Sequence, residues 1–148
     1  MNHPDYNSPA ELKTILDNNG FSMQKKFGQN FLINAQARKK LIDTLDLNEN
    51  STVWEIGPGL GAMTNEILEK GAKLTVFEID RGFAKLISDF FSDYSKNNKF
   101  SIVHGDVLKT WKDEYNKNGN ADCLFGNLPY KIAATFIAET IENIVRFD

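Results

Sequence analysis

Gly57, Gly59 and Gly61 follow directly on a short apolar run, residues 52–56, and lead into a periodic apolar stretch, residues 62–70. This strand, glycine loop and helix constrain the fold more than any other feature of the chain. Glycine lets a chain turn sharply and lets backbone approach a ligand closely. The alternation then repeats. Residues 73–79 read as a second strand, 81–94 as a helix, 100–104 as a third strand, 108–116 as a helix, 122–126 as a fourth strand and 132 to about 145 as a last helix. In the helix at 81–94 the stripe Phe83, Leu86, Ile87, Phe90, Phe91 and Tyr94 has the spacing of core packing. Strands alternating with helices predict an α/β fold with a parallel sheet and right-handed crossovers. Ligands of such sheets lie at the carboxyl ends of the strands.

Upstream, Ser8-Pro9-Ala10-Glu11 has the form of a capping box with proline at the first helical position. It predicts a helix to about Asn18, stopped at Gly20, with disorder before Ser8. Residues 25–32 read as a loop. Asn34 is placed to cap a helix from Ala35 to about Leu45, with Leu41, Ile42 and Leu45 inward.

A chain of 148 residues makes one domain with a real core, and 41% apolar with 25% charged residues is ordinary for a globular protein. No apolar run approaches the ~20 residues of a membrane span. No secretory signal pattern opens the chain, and Cys123 is the only cysteine, so an internal disulfide is excluded and a cytoplasmic location is expected. Cys123 lies in an apolar strand and is expected to be a buried, inert thiol. His3, His104 and Cys123 are scattered, so no metal site is expected. The net charge of −3 does not advertise a nucleic-acid binder, but its distribution is uneven. Lys25, Lys26, Arg38, Lys39 and Lys40 fall in one stretch free of acids, which leaves −8 for the remainder. Such asymmetry gives one face a positive field, or is simply a solvated helix face.

The glycine loop lacks the Gly-Lys-Ser/Thr of a phosphate loop. Gly57-x-Gly59-x-x-Ala62, with Glu78 about 20 residues on, satisfies the permissive dinucleotide fingerprint. The loop therefore implies a nucleoside cofactor without choosing which. Glu78, at the end of the second strand, is suited to accept hydrogen bonds from both ribose hydroxyls. Asp106, at the end of the third, is suited to an adenine amine, with Ile79 and Val107 on either side of the ring, or else to capping a turn.

After the fourth strand comes Asn127-Leu128-Pro129-Tyr130. An adenine amine is a poor nucleophile because its lone pair is delocalised into the ring. The Asn127 side-chain oxygen and the Leu128 carbonyl are suited to accept its two N–H bonds, which favours a pyramidal nitrogen aimed at a methyl sulfonium. Pro129 fixes the turn and offers no competing N–H. Tyr130 is suited to stack on the base. Such catalysis is alignment and electrostatic preorganisation and needs no strong base.

Three blocks, Lys26-Phe27-Gly28-Gln29-Asn30-Phe31-Leu32, Glu55-Ile56-Gly57-Pro58-Gly59-Leu60-Gly61 and Gly126-Asn127-Leu128-Pro129-Tyr130, resemble the ribosomal RNA adenine N6,N6-dimethyltransferases. The resemblance runs from about Gln24 to the end. It implies a Rossmann-like S-adenosylmethionine-dependent methyltransferase fold and dimethylation of two adjacent adenosines in ribosomal RNA of the small subunit. By the same resemblance Asn30 and Leu32 contact the methionine end of S-adenosylmethionine, and Gly57 and Gly59 form the loop contact. Glu78 binds ribose, Asp106 binds adenine, Asn127 is shared by cofactor and target amine, and Tyr130 stacks on the base. The basic stretch then belongs to an RNA-contacting face. Lys131-Ile132-Ala133-Ala134 departs from the family, which usually has a polar residue and a hydroxyl there. The family also continues for more than a hundred residues, through further strands and a helical RNA-binding domain. The resemblance thus implies an N-terminal extension, residues 1–24, and a partial cofactor domain, residues 25–148, truncated after the fourth strand and its helix. That strand is expected at an open apolar edge. The other readings are a nucleotide-dependent oxidoreductase, a large-subunit methylase of the antibiotic-resistance type, and a non-catalytic RNA-binding or ribosome-assembly fragment.

Overall fold

A computed structural model describes residues 3–21, 34–126, 128 and 130–142. Helix α1 (Pro9–Asn18) starts where the capping box places it: the Ser8 hydroxyl oxygen accepts the Glu11 N–H at 3.3 Å. Helix α2 (Ala35–Thr44) starts from Asn34, whose side chain accepts the Ala37 N–H at 3.0 Å. Then come β1 (Thr52–Ile56), α3 (Ala62–Glu69), β2 (Lys73–Glu78), α4 (Arg81–Phe90), α5 (Ser92–Lys96), β3 (Phe100–His104), α6 (Val107–Asn118), β4 (Cys123–Gly126) and α7 (Tyr130–Glu142). The loop expected at 25–32 lies outside the described residues.

The four strands form one sheet in the order β3-β2-β1-β4, parallel throughout. Side chains alternate across it with the period of a strand. Val53, Leu74 and Val76 join one core cluster with Leu12 and Leu16 of α1, Ile42 of α2, Ile67 of α3 and Ile87 of α4. Trp54, Ile56 and Phe77 join a second, with Trp111 of α6 and Phe136 of α7. The sheet is therefore covered on both faces, as a parallel sheet requires. Glu55 and Glu78 occupy strand positions of the first face, and both are buried. Strand β4 stands at the edge with its side chains half-buried, as the sequence implies. Cys123 is accordingly half-buried rather than buried, with its thiol pushed up by burial and by Asp122.

Several elements differ from the sequence expectation. Residues 3–7 are ordered where disorder was expected: Tyr6 is 5% exposed and belongs to the first cluster. The stripe expected as one helix over 81–94 is broken at Phe91 into α4 and α5, and the fully buried Phe91 ring packs edge-on against Phe100. In α2 Ile42 is buried, but Leu41 is 36% exposed and Arg38 takes the inward place at 2%. Helix α6 starts earlier than expected because Asp106 caps it, its Oδ1 accepting the Leu108 N–H at 2.9 Å.

Candidate functional site

The register aligns the carboxyl ends of the strands. Ile56 pairs with Phe77 on one side and Gly126 on the other, and Glu78 pairs with His104. The last residues of β1, β2, β3 and β4 thus lie along one edge. The chain leaves β1 towards β2, while β4 lies on the other side of β1. In such sheets that reversal of strand order, here at the ends of β1 and β4, marks the crevice where ligands usually lie.

The glycine loop lies beside this crevice. Gly57 and Gly59 adopt φ +67° and +58°, a left-handed conformation that favours glycine. The Gly57 N–H donates to the Phe77 carbonyl at 2.9 Å, and the Gly61 N–H closes a turn onto Pro58 O at 3.0 Å. Among the described residues, chain neighbours aside, no atom lies within 4 Å of where a Cβ on Gly57 or Gly59 would stand, so no described side chain packs on the loop backbone there. Gly61 is constrained differently: a Cβ there would stand 2.7 Å from Phe91 Cε2 and 3.1 Å from the Tyr6 hydroxyl.

Two carboxylates back the loop. Glu78 Oε1 accepts the Asp80 N–H at 2.9 Å. Burial pushes the Glu78 carboxyl up, opposed by the nearby backbone N–H groups of Asp80, Gly59 and Ile79. The Asp80 N–H thus holds the Glu78 carboxylate in place at the end of β2. Glu55 is 2% exposed, and its Oε2 accepts the Thr64 hydroxyl at 2.6 Å. Burial, with a smaller push from the nearby Glu78, raises its pKa to about 7 despite that bond. Sequence reasoning missed Glu55 as a functional group. Its signal was a charged residue at an inward strand position, two residues before Gly57.

Asp106 begins α6, just beyond β3, partly exposed. Of the two apolar residues expected beside it, Ile79 is 69% exposed, whereas Val107 is 5% exposed and packs in the second cluster. A loop with open backbone, oriented carboxylates at two strand ends and a bare isoleucine fit a nucleoside: acceptors for hydroxyls and an amine, and an apolar surface for a ring. Leu128 is half-buried and packs against the second cluster. Asn30, Leu32, Asn127 and Pro129 lie outside the described residues, and Tyr130 is described only in its backbone, at the start of α7.

Of the basic stretch, Lys39 and Lys40 are exposed on α2. Arg38 is not part of that face. Its Nη2 donates to Asn7 Oδ1 at 2.7 Å, and its Nε lies 3.7 Å from Glu66 Oε1. Among the described residues there is no cluster of three or more metal-ligating side chains and no helix long and apolar enough to cross a membrane.

Comparison with known proteins gives this site its context. Over all 148 residues the chain is 52% identical to "Ribosomal RNA small subunit methyltransferase A" of Treponema denticola, covering 50% of that protein. It is 44% identical over 139 residues to the protein of the same name in Borreliella burgdorferi, covering 94% of this chain and 47% of that one. The chain spans about half the length of these curated relatives. A dimethyladenosine transferase from Plasmodium falciparum superposes with a TM-score of 0.63 at 25% identity, over 77% of this chain and 39% of that one. An RNA methyltransferase from Salinibacter ruber, in complex with S-adenosyl-L-homocysteine, gives 0.61 at 15% identity over 74% and 68%, a likeness of fold. The architecture is thus the Rossmann-like fold of S-adenosylmethionine-dependent methyltransferases. The family model for "Ribosomal RNA adenine dimethylase" matches residues 20–146, glycine loop and strand ends included, and the chain belongs to that family.

Proposed function

We propose that this chain is the cofactor-binding part of an enzyme that dimethylates the exocyclic amines of two adjacent adenosines in small-subunit ribosomal RNA. In this reading residues 25–148 are a partial methyltransferase domain, and residues 1–24 are an N-terminal extension laid on it. The cofactor is S-adenosylmethionine, and the workplace is cytoplasmic. One observation carries the reading: the register of a family member's sheet brings the ends of β1, β2 and β3, and with them the glycine loop, Glu78 and Asp106, to one edge.

Bound S-adenosylmethionine supplies an electrophilic methyl group on a sulfonium. The chain's own residues bind and align. Glu78, already oriented by backbone N–H groups, accepts from the ribose hydroxyls. Asp106 keeps one oxygen on the Leu108 N–H and offers the other to the adenine amine, with the exposed Ile79 against the ring. Gly57 and Gly59 let the backbone approach closely. Asn30 and Leu32 take the methionine end. Asn127 and Leu128 accept the N–H bonds of the target amine, Pro129 fixes their turn and Tyr130 stacks on the base. The target nitrogen would take the methyl group as its bond to the sulfonium sulfur broke, leaving the neutral thioether S-adenosylhomocysteine, and the resulting cationic nitrogen would give its proton to water. The exposed Lys39 and Lys40 extend an RNA-contacting face. This binding requires no metal.

The small-subunit target follows the name borne by the two bacterial relatives, and it displaces the oxidoreductase reading, which gives Asn127 to Tyr130 no task. The test is transfer of radiolabelled methyl groups from S-adenosylmethionine to small ribosomal subunits that lack the modification. The reading expects label in adenosine of the small-subunit RNA, carried by this chain or by a version extended to the length of its relatives. Label confined to large-subunit RNA, or none from either form, would overturn it.

A further inference from the structure

The segment before α1 is pinned to the glycine loop. The Tyr6 hydroxyl donates to the Leu60 carbonyl at 2.7 Å, across 54 residues of sequence, and Leu60 sits between Gly59 and Gly61. Both side chains are buried, at 5% and 2% exposure. The Tyr6 oxygen also closes on Gly61, standing 3.1 Å from where a Cβ would be. Phe91 presses on the same glycine, and the His3 ring stacks on Tyr6 and on Phe91 at 5.5 and 5.8 Å between centroids. One residue on, Asn7 Oδ1 accepts from Arg38 Nη2 at 2.7 Å, a second pin onto α2. The turn between them is shaped locally, with Asp5 Oδ1 accepting the Asn7 N–H at 2.8 Å and Asp5 O accepting the Ser8 N–H at 3.0 Å.

We propose that Tyr6 is a positioning residue for the cofactor loop, its hydroxyl fixing the Leu60 peptide and with it the directions of the neighbouring loop amides. This rests on the reading of the loop as the S-adenosylmethionine site. Tyr6 lies upstream of the residues that the family model matches, so the resemblance does not point to it. The physical logic is short. A loop built on left-handed glycines has little stiffness of its own. Its peptides must be held from outside if their N–H groups are to meet a ligand without a cost in ordering at each binding event. On its inner side the Gly59 N–H favours the Glu78 carboxylate. On its outer side Tyr6 restrains Leu60. Burial pushes the Tyr6 hydroxyl well above its ordinary value, so it remains a neutral donor wherever the protein is folded.

The test is calorimetric titration of the 148-residue chain and two variants with S-adenosylhomocysteine. Tyr6→Phe keeps the ring and its stacking and removes only the O–H. Ser8→Ala removes a hydrogen bond in the same segment, the α1 cap, away from the loop. Titrations are run at a temperature where circular dichroism shows all three chains folded. The expected result is a dissociation constant about tenfold higher for Tyr6→Phe, from loss of one buried hydrogen bond, and unchanged for Ser8→Ala. Amide NMR should show Gly59, Leu60 and Gly61 displaced in Tyr6→Phe alone. If the parent chain binds and Tyr6→Phe binds equally well, or both variants weaken alike, the positioning role is overturned and the site reading stands. If the folded parent chain does not bind, the site reading fails and the positioning role with it.

Discussion

Replacing Glu55 by Gln should remove most of one group's contribution to the pH dependence of stability between pH 5 and pH 8. Glu55 is buried in β1 with a pKa near 7, against the 4.5 of an unperturbed glutamate. Between those two values the folded chain holds a proton that the unfolded chain has released. The unfolded state therefore binds fewer protons, and the contribution of Glu55 to stability falls as pH rises from about 4.5, flattening above about 7. At pH 5 about a quarter of the penalty is present. By pH 8 it is nearly complete, and the difference between the two conditions is about 2–3 kcal/mol. Gln has nearly the same volume and keeps an oxygen for the Thr64 hydroxyl, so packing and the 2.6 Å bond survive. The assay is urea unfolding of both chains at pH 5, 6, 7 and 8, with the stability of the variant minus that of the parent plotted against pH. Titrating groups that do not interact with Glu55 cancel in that difference, which leaves Glu55 and its coupling to Glu78. It should rise by about 2–3 kcal/mol from pH 5 to pH 8 and level off. A difference that is flat over the whole range would refute the reasoning, because burial would then not outweigh the Thr64 bond.

Gly61→Ala should destabilise the fold by about 2–4 kcal/mol in thermal unfolding, because its Cβ would stand 2.7 Å from Phe91 Cε2 at a φ of +89°. Asp106 separates capping from ligand binding. Asp106→Asn should stay within about 0.5 kcal/mol of the parent in urea unfolding, since Asn caps as well as Asp, while Asp106→Ala should lose about 1 kcal/mol. Both should weaken S-adenosylhomocysteine about tenfold in titration, since both alter the acceptor offered to adenine.

The local rules of the chain were legible where a single residue decides an outcome. Ser8 and Asn34 announced their helices because a cap is a contact between residues three apart. The apolar run ending in the glycine loop announced β1 and the position of the crevice. What the sequence concealed depends on distant partners. Nothing near Tyr6 marks it as buried, because its partner carbonyl at Leu60 is 54 residues away. Arg38 reads as one more charge in a basic stretch, yet Asn7 and Glu66 draw it inward and leave Leu41 partly exposed. The stripe from Phe83 to Tyr94 has helical spacing throughout, and spacing alone does not show that Phe91 leaves the helix to pack against Phe100 and Gly61. The positions of Glu78 and Asp106 at the ends of β2 and β3 were readable because strand ends are readable. Glu55 was passed over because a short motif draws attention to its glycines and away from the carboxylate before them.

The central claim is that the edge formed by the glycine loop, Glu78 and Asp106 holds a methionine nucleoside. The most direct measurement is calorimetric titration of the folded chain with S-adenosylmethionine, S-adenosylhomocysteine and NAD, repeated with Glu78→Gln. The account predicts saturable binding of the two methionine nucleosides and none of NAD, with affinity about tenfold weaker in the variant. Preference for NAD, or equal binding by Glu78→Gln, would contradict it.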